Sequence, residues 1–143
     1  MITDINITGK WTFVIVYGPE YGEQENQELY FDAEFIQDKD LFTGTGRDTG
    51  GSGASPDIAT IKGFLEDGEI SFIKQYTTNH YIDEEGKIAI DKNVPGPEIN
   101  YYGSFNKLNG MFEGHWEMVM GSQKYGDGWF DDMATGTWTM KRK

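Results

Sequence analysis

Ile58-Ala-Thr-Ile-Lys-Gly-Phe-Leu-Glu-Asp-Gly-Glu-Ile-Ser-Phe-Ile-Lys-Gln-Tyr76 is the stretch from which the fold is read. Two β-rich runs flank Asp67-Gly68, a dipeptide suited to a two-residue type I′ turn, whose two central positions both take positive φ. Such a turn sets the hairpin register: Leu65 opposite Ile70, Gly63 opposite Phe72, Ile61 opposite Lys74 and Ala59 opposite Tyr76. One face is apolar except for Lys74, and it sets small residues against large rings, a pairing that packs well across strands. The other face, with Thr60, Lys62, Phe64, Ser71, Ile73 and Gln75, is mixed.

The same alternation extends in both directions. A strand over 9–17 puts Trp11, Phe13, Ile15 and Tyr17 on one face. A second, over 27–37, turns Leu29, Phe31, Ala33 and Phe35 inward, and a third, over 41–48, carries Phe42, Gly44, Gly46 and Asp48. Beyond the central hairpin, a strand over 98–106 aligns Ile99, Tyr101, Gly103 and Phe105. Strands over 110–120 and 134–141 follow, with Phe112, Gly114, Trp116, Met118 and Met120, then Ala134, Gly136, Trp138 and Met140, facing in. Between them lie an acidic loop at 18–26, a glycine-rich link at 49–57, an irregular region at 77–97 that includes a short β-like run at 87–91, and a loop at 121–133. Asn109-Gly110 reads as a second type I′ turn.

Eight strands with sustained in/out alternation leave two sheet edges open unless the sheet closes on itself. The expected architecture is therefore all-β: one domain over 1–143, an antiparallel eight-stranded up-and-down barrel, with a β-sandwich as the alternative because alternation does not by itself prove closure. Gly-x-Trp occurs at Gly9/Trp11, Gly114/Trp116 and Gly136/Trp138. In a closed barrel the strands bearing them are neighbours, so the three tryptophans are expected to cluster at the seam.

Composition bounds the function. The chain has 143 residues and a net charge of −12, which repels phosphate backbones and anionic lipid, so neither nucleic acid nor a membrane is an expected partner. Cysteine is absent, which removes disulfides, thiolate metal sites and a cysteine nucleophile. With no basic-plus-apolar leader at the N-terminus, a cytoplasmic location is slightly favoured. The glycines at 49–57 are not a phosphate loop, since no Gly-Lys-Ser/Thr follows. Glu113-x-His115-x-Glu117 faces outward as ordinary exposed charge, and His115 has the wrong parity for an interior haem ligand. His80 lies just past a strand end, and Asp127, Asp131 and Asp132 do not match the EF-hand spacing. No cofactor or metal is expected, and no serine-histidine-acid order is present.

The ordered set Gly9-Lys10-Trp11, Phe42-x-Gly44-x-Gly46-x-Asp48-x-x-Gly51, Ile61-x-Gly63, Ile70-x-Phe72-x-Lys74-x-Tyr76, Tyr102-Gly103 and Gly114-x-Trp116 resembles calycin-type barrels, the group of lipocalins, fatty-acid-binding proteins and avidin-like proteins, in a poorly characterised branch. The resemblance runs over about residues 9–140. It implies an eight-stranded barrel with room for a small molecule. The lipocalin cysteines and the later Thr-Asp-Tyr element are missing, and no avidin-type biotin site maps onto the chain.

The candidate ligand-binding residues are Trp11, Phe13, Phe31, Phe72, Lys74, Tyr76, Tyr101, Trp116, Trp129 and Trp138. Lys74 stands out, because an ammonium on an apolar inner face is costly unless paired. Asp48 is its expected ion-pair partner, and a ligand carboxylate, helped by Tyr76 or Tyr101, is the functional alternative. Trp129 and Phe130 are expected to fold over one barrel end, since large rings do not rest in water. The function expected first is non-enzymatic binding of a small apolar or amphiphilic molecule, carboxylate-bearing if Lys74 contacts it, in the barrel interior. A side-chain-filled barrel acting through its loops or acidic outer face is the alternative, and an enzyme at the barrel mouth ranks last.

Overall fold

The computed structural model describes residues 5–52, 54–77, 79–82, 85, 88–91, 96–125 and 128–143, with backbone alone at 20, 79–82, 88–91, 120–125 and 128–132. Among the described residues ten strands are formed: β1 (Gly9–Tyr17), β2 (Glu28–Asp38), β3 (Leu41–Gly51), β4 (Ile58–Glu66), β5 (Glu69–Tyr76), β6 (Asn79–Ile82), β7 (Ile88–Asp91), β8 (Glu98–Asn106), β9 (Met111–Tyr125) and β10 (Gly128–Arg142). Eight of them close into an antiparallel barrel in the order β1-β10-β9-β8-β5-β4-β3-β2, while β6 and β7 pair separately as a two-stranded sheet. The closing ladder between β1 and β10 runs from Trp11 opposite Arg142 to Tyr17 opposite Gly136, which excludes an open sandwich.

The central hairpin has the register its turn requires. Leu65 pairs with Ile70, Gly63 with Phe72, Ile61 with Lys74 and Ala59 with Tyr76. Asp67 and Gly68 both take positive φ, at 53° and 80°, as a type I′ turn demands.

Glycines facing rings recur around the wall. Gly44 sits opposite Phe35, Gly63 opposite Phe72 and Gly136 opposite Trp116. A Cβ on Gly136 would lie 2.0 Å from the Val16 carbonyl and 2.4 Å from Trp116 Nε1. These glycines let rings lie flat against the strand backbone, so a narrow barrel holds many of them. Phe13 meets Phe31, Phe35 and Phe72 edge-on, Phe72 stacks on Tyr101 at 4.7 Å, and Trp138 packs on Phe13, Phe72 and Tyr101. Burying each such ring contributes about 1.5–3 kcal/mol.

The two barrel ends differ. At one end the barrel strands are joined by the turns after β2, β4 and β8. This end is closed from within: Ile7 is fully buried, the Trp11 indole donates to its carbonyl at 2.8 Å, and the Arg142 guanidinium lies 4.7 Å over the Trp11 ring. Arg142 also donates to the carbonyls of Thr8 and Asn6, pinning the lead-in across the opening. The opposite end carries the longer connections at 18–27, 52–57 and 77–97.

Several expectations need correction. The three tryptophans do not cluster. The ladders set Trp11 opposite Arg142 near one end, Trp138 opposite Ile15 in the middle and Gly136 between Tyr17 and Trp116 at the other end, so the indoles occupy successive levels. Residues 121–133 are not a loop, because β9 and β10 continue as a paired ribbon to Tyr125 and Gly128, with an irregularity between Asp132 and Met133. Backbone pairing between adjacent strands needs no buried face, so the polar run Ser122-Gln123-Lys124 concealed this ladder. The side chains of Trp129 and Phe130, and with them the expected lid, lie outside the described residues. Asn109-Gly110 is not a two-residue turn either. The ladder ends at Asn106 opposite Met111, and the Asn109 side chain caps the Met111 amide inside a longer loop. His80 belongs to β6 rather than to an irregular segment, and the acidic loop contains a 3₁₀ segment, Pro19–Gln24.

Gly136→Ala should lower stability by about 1–3 kcal/mol, since the added methyl meets backbone on one side and an indole on the other. Gly50→Ala, whose Cβ would come no closer than 4.0 Å to Tyr30, should stay within about 0.5 kcal/mol of wild type. Urea denaturation of both variants checks the difference. Equal losses would mean that the glycines serve the backbone and not the rings.

Candidate functional site

The end with the long connections holds a cavity of about 210 Å³. Its wall comes from strands that converge there: Ile15 and Tyr17 from β1, Leu29 from β2, Asp48 from β3, Lys74 and Tyr76 from β5, Ile99 and Tyr101 from β8, and Trp116 and Met118 from β9. Tyr21, Ser55, Gly96 and Pro97 reach in from the connections. Tyr21 comes from the 3₁₀ segment and packs its ring 4.5 Å from that of Tyr17 and 6.2 Å from that of Trp116. Gly96 is tied down by donating its amide to the Tyr76 carbonyl at 3.0 Å and accepting from the Gln75 amide group at 2.8 Å.

Lys74 is at the centre. The alternation of β5 turns it inward, between Phe72 and Tyr76, and it is only 2% exposed. Its ammonium rests on rings, 4.3 Å from the centre of Phe31, 5.1 Å from Tyr76 and 5.2 Å from Tyr101. Such contacts favour a cation, and more so away from water. Among the described residues Nζ has no hydrogen bond and no contact ion pair, and it opens onto the cavity. Loss of hydration holds its pKa down at about 8, against an ordinary 10.5, and the nearby negative charge of Asp48 recovers part of that loss.

Asp48 reaches the same space by the alternation of β3. It pairs with Phe31 in step with Gly46 opposite Ala33 and Gly44 opposite Phe35, and the bulge that leaves Thr49 as the extra residue lies just beyond it. The expected contact pair with Lys74 does not form, because other donors take the carboxylate oxygens. The Tyr76 hydroxyl donates to Oδ1 at 2.6 Å and the Ser55 amide to Oδ2 at 2.7 Å. Burial and the Asp48 charge together push the Tyr76 hydroxyl pKa far up, so Tyr76 stays a neutral donor. The Tyr17 hydroxyl donates to the Ser52 carbonyl, and burial raises its pKa to about 12. Tyr101 is 1% exposed and its pKa is raised well above the usual value, mainly by burial. No partner for the Tyr101 hydroxyl is found among the described residues.

Of the candidates read from sequence, Lys74, Tyr76, Tyr101 and Trp116 line the cavity. Phe31 sits under the Lys74 ammonium. Trp11, Phe13, Phe72 and Trp138 are buried in the ring-filled part of the barrel, away from the cavity wall. The side chain of Trp129 lies outside the described residues. Sequence reasoning missed Tyr21, Ser55, Gly96 and Pro97 as site residues. For Tyr21 a signal existed: a single aromatic residue in an otherwise acidic connection seeks cover.

The buried lysine has a consequence for pH. Its folded pKa lies below its unfolded one, so the unfolded chain binds the extra proton between about pH 8 and 10.5. Stability should therefore rise with pH from about 8, until the tyrosines of the unfolded chain begin to ionise near pH 10 and reverse the trend. Below pH 8 the whole penalty is present, on the order of 3 kcal/mol. Lys74→Met should remove it and make the protein more stable at pH 7, since Asp48 keeps its Tyr76 and Ser55 donors. Urea midpoints of both proteins at pH 7, 8, 9 and 9.5 check this. A gap between them that does not narrow as the pH rises would show that Lys74 is already well solvated.

No family model matches the chain, and no curated protein or solved structure is significantly similar to it.

Proposed function

We propose that this barrel is a non-enzymatic binding protein of the calycin type, and that its cavity holds a small, mostly apolar molecule bearing one carboxylate. The observation that carries this reading is that two donors on buried, cavity-lining residues, the Lys74 ammonium and the Tyr101 hydroxyl, have no hydrogen-bond partner among the described residues. A protein that needed only a filled core would place an aliphatic side chain at position 74, as it does at Ile61 across the hairpin. Asp48 is engaged by two donors of its own, so an incoming carboxylate meets Lys74 and Tyr101 as the available ones. The closed antiparallel order and the Gly9-x-Trp11 opening support kinship with calycin barrels.

Size narrows the ligand. An apolar cavity of about 150 Å³ accommodates benzene. One of about 210 Å³ suits a single ring with a short substituent and is too small for a long acyl chain. Tyr17, Tyr21 and Trp116 give flat surfaces against which such a ring can pack. The net charge of −12 opposes an approaching anion, so selectivity comes from the buried donors and not from long-range attraction.

Titration calorimetry with benzoate tests the proposal. Wild-type protein should bind one equivalent. Lys74→Met should weaken binding at least about tenfold, the loss of a hydrogen bond to a charged group, and Tyr101→Phe by a smaller factor of about 3–10. Benzoate binding that is absent, or unchanged in Lys74→Met, would reject the carboxylate reading.

A further inference from the structure

We infer that Lys74 also captures small aldehydes covalently: its ε-amine, buried with no hydrogen bond or contact ion pair among the described residues and open to an aromatic-lined cavity, condenses with the carbonyl carbon to form an imine. The inference rests on the reading of the cavity as a small-ligand site and extends it from anions to carbonyl compounds.

The step is a condensation and balances without any redox partner. The amine lone pair attacks the carbonyl carbon, a C–N bond forms, and the C=O π pair moves to oxygen, which takes up a proton while nitrogen gives one up. The carbinolamine then loses its hydroxyl as water while the nitrogen lone pair forms the C=N bond. Aldehyde and amine thus become imine and water. Three features of the site suit this chemistry. The Tyr101 ring centre lies 5.2 Å from Nζ, and its hydroxyl, kept neutral by burial, is a donor for the carbonyl oxygen and for the departing hydroxyl. Asp48 places a negative charge beside the nitrogen, which favours the protonated imine. The apolar walls limit the water that would reverse the reaction.

Availability of the free amine sets Lys74 apart from an ordinary, solvated lysine. With its pKa near 8, about a tenth of Lys74 is neutral at pH 7, whereas an ordinary lysine at 10.5 is neutral in roughly one molecule in 3,000. Desolvated lysines in apolar pockets are the ones that form such adducts with carbonyl substrates.

Reductive trapping with benzaldehyde and cyanoborohydride at pH 7, followed by intact-mass and peptide mapping of the full chain, tests the inference. The first benzyl adduct should map to Lys74 and form at least tenfold faster than at any other lysine. Excess benzoate should suppress it at Lys74 and nowhere else. Lys74→Met should lose this fast adduct, while Tyr101→Phe, which keeps the amine, should form it more slowly. Label spread over other lysines with Lys74 not leading would overturn the capture role. Benzoate binding without Lys74 labelling rejects capture and leaves the carboxylate reading standing. Lys74 labelling without benzoate binding does the reverse, and failure of both rejects the cavity as a ligand site.

Discussion

When eight strands close into one sheet, β1 must hydrogen-bond to β2 on one side and β10 on the other, and the interior acquires a fixed, narrow width. Every inward side chain has to fit that width together with those across from it. The wall meets this constraint by setting glycines opposite rings. Gly44, Gly46 and Gly63 lie under Phe35, Phe31 and Phe72, and Gly136 lies under Trp116, so the rings spread along the backbone and meet edge-to-face. A side chain larger than hydrogen at these positions would meet strand backbone and force the rings toward the axis. The closed sheet also leaves no barrel edge free for pairing with another chain.

The same width has different consequences at the two ends. Where the turns are short, nothing but side chains and the lead-in can cover the opening, and Ile7, Trp11 and Arg142 do so with one buried hydrogen bond and a cation over a ring. Where the connections are long, backbone and side chains from several segments reach the rim, and the filling is looser. Tyr21 and Ser55 arrive from outside the sheet, and Gly96 is held by two hydrogen bonds. The cavity is the space these segments enclose without filling. It belongs to this end because the strands there deliver polar groups, Asp48, Lys74, Tyr76 and Tyr101, that cannot pack as hydrocarbons do.

Lys74 shows how a local cost points to a role. Its burial works against folding, and cation–ring contacts with Phe31, Tyr76 and Tyr101 offset only part of the lost hydration. A carboxylate in contact would offset more, yet Asp48 is committed to the Tyr76 hydroxyl and the Ser55 amide. The lysine is thereby left charged at neutral pH, desolvated and open to the cavity. A group in that state gains from any ligand that brings an acceptor or a carbonyl carbon within reach, which an aliphatic residue in its place could not do.

Much of this was legible along the chain. Period-two alternation, a type I′ dipeptide at Asp67-Gly68 and the in-facing parity of Lys74 are local properties, set by the pleat and by which φ values a residue tolerates, and the central hairpin carries them in the expected register. The eight barrel strands could be placed for the same reason. What lay beyond local reading depended on distance in three dimensions. Parity turned Asp48 inward, but the choice of Tyr76 and Ser55 over Lys74 as its partners follows from where two separate strands and a loop meet. The β9–β10 ribbon extends past the barrel because backbone groups pair without help from side-chain pattern. The levels of the three tryptophans follow from the stagger between closing strands, a property of the whole sheet. Alternation thus determined which side chains point inward, and closure alone decided which of them touch, because contact across a barrel is a matter of register and stagger that no single strand contains.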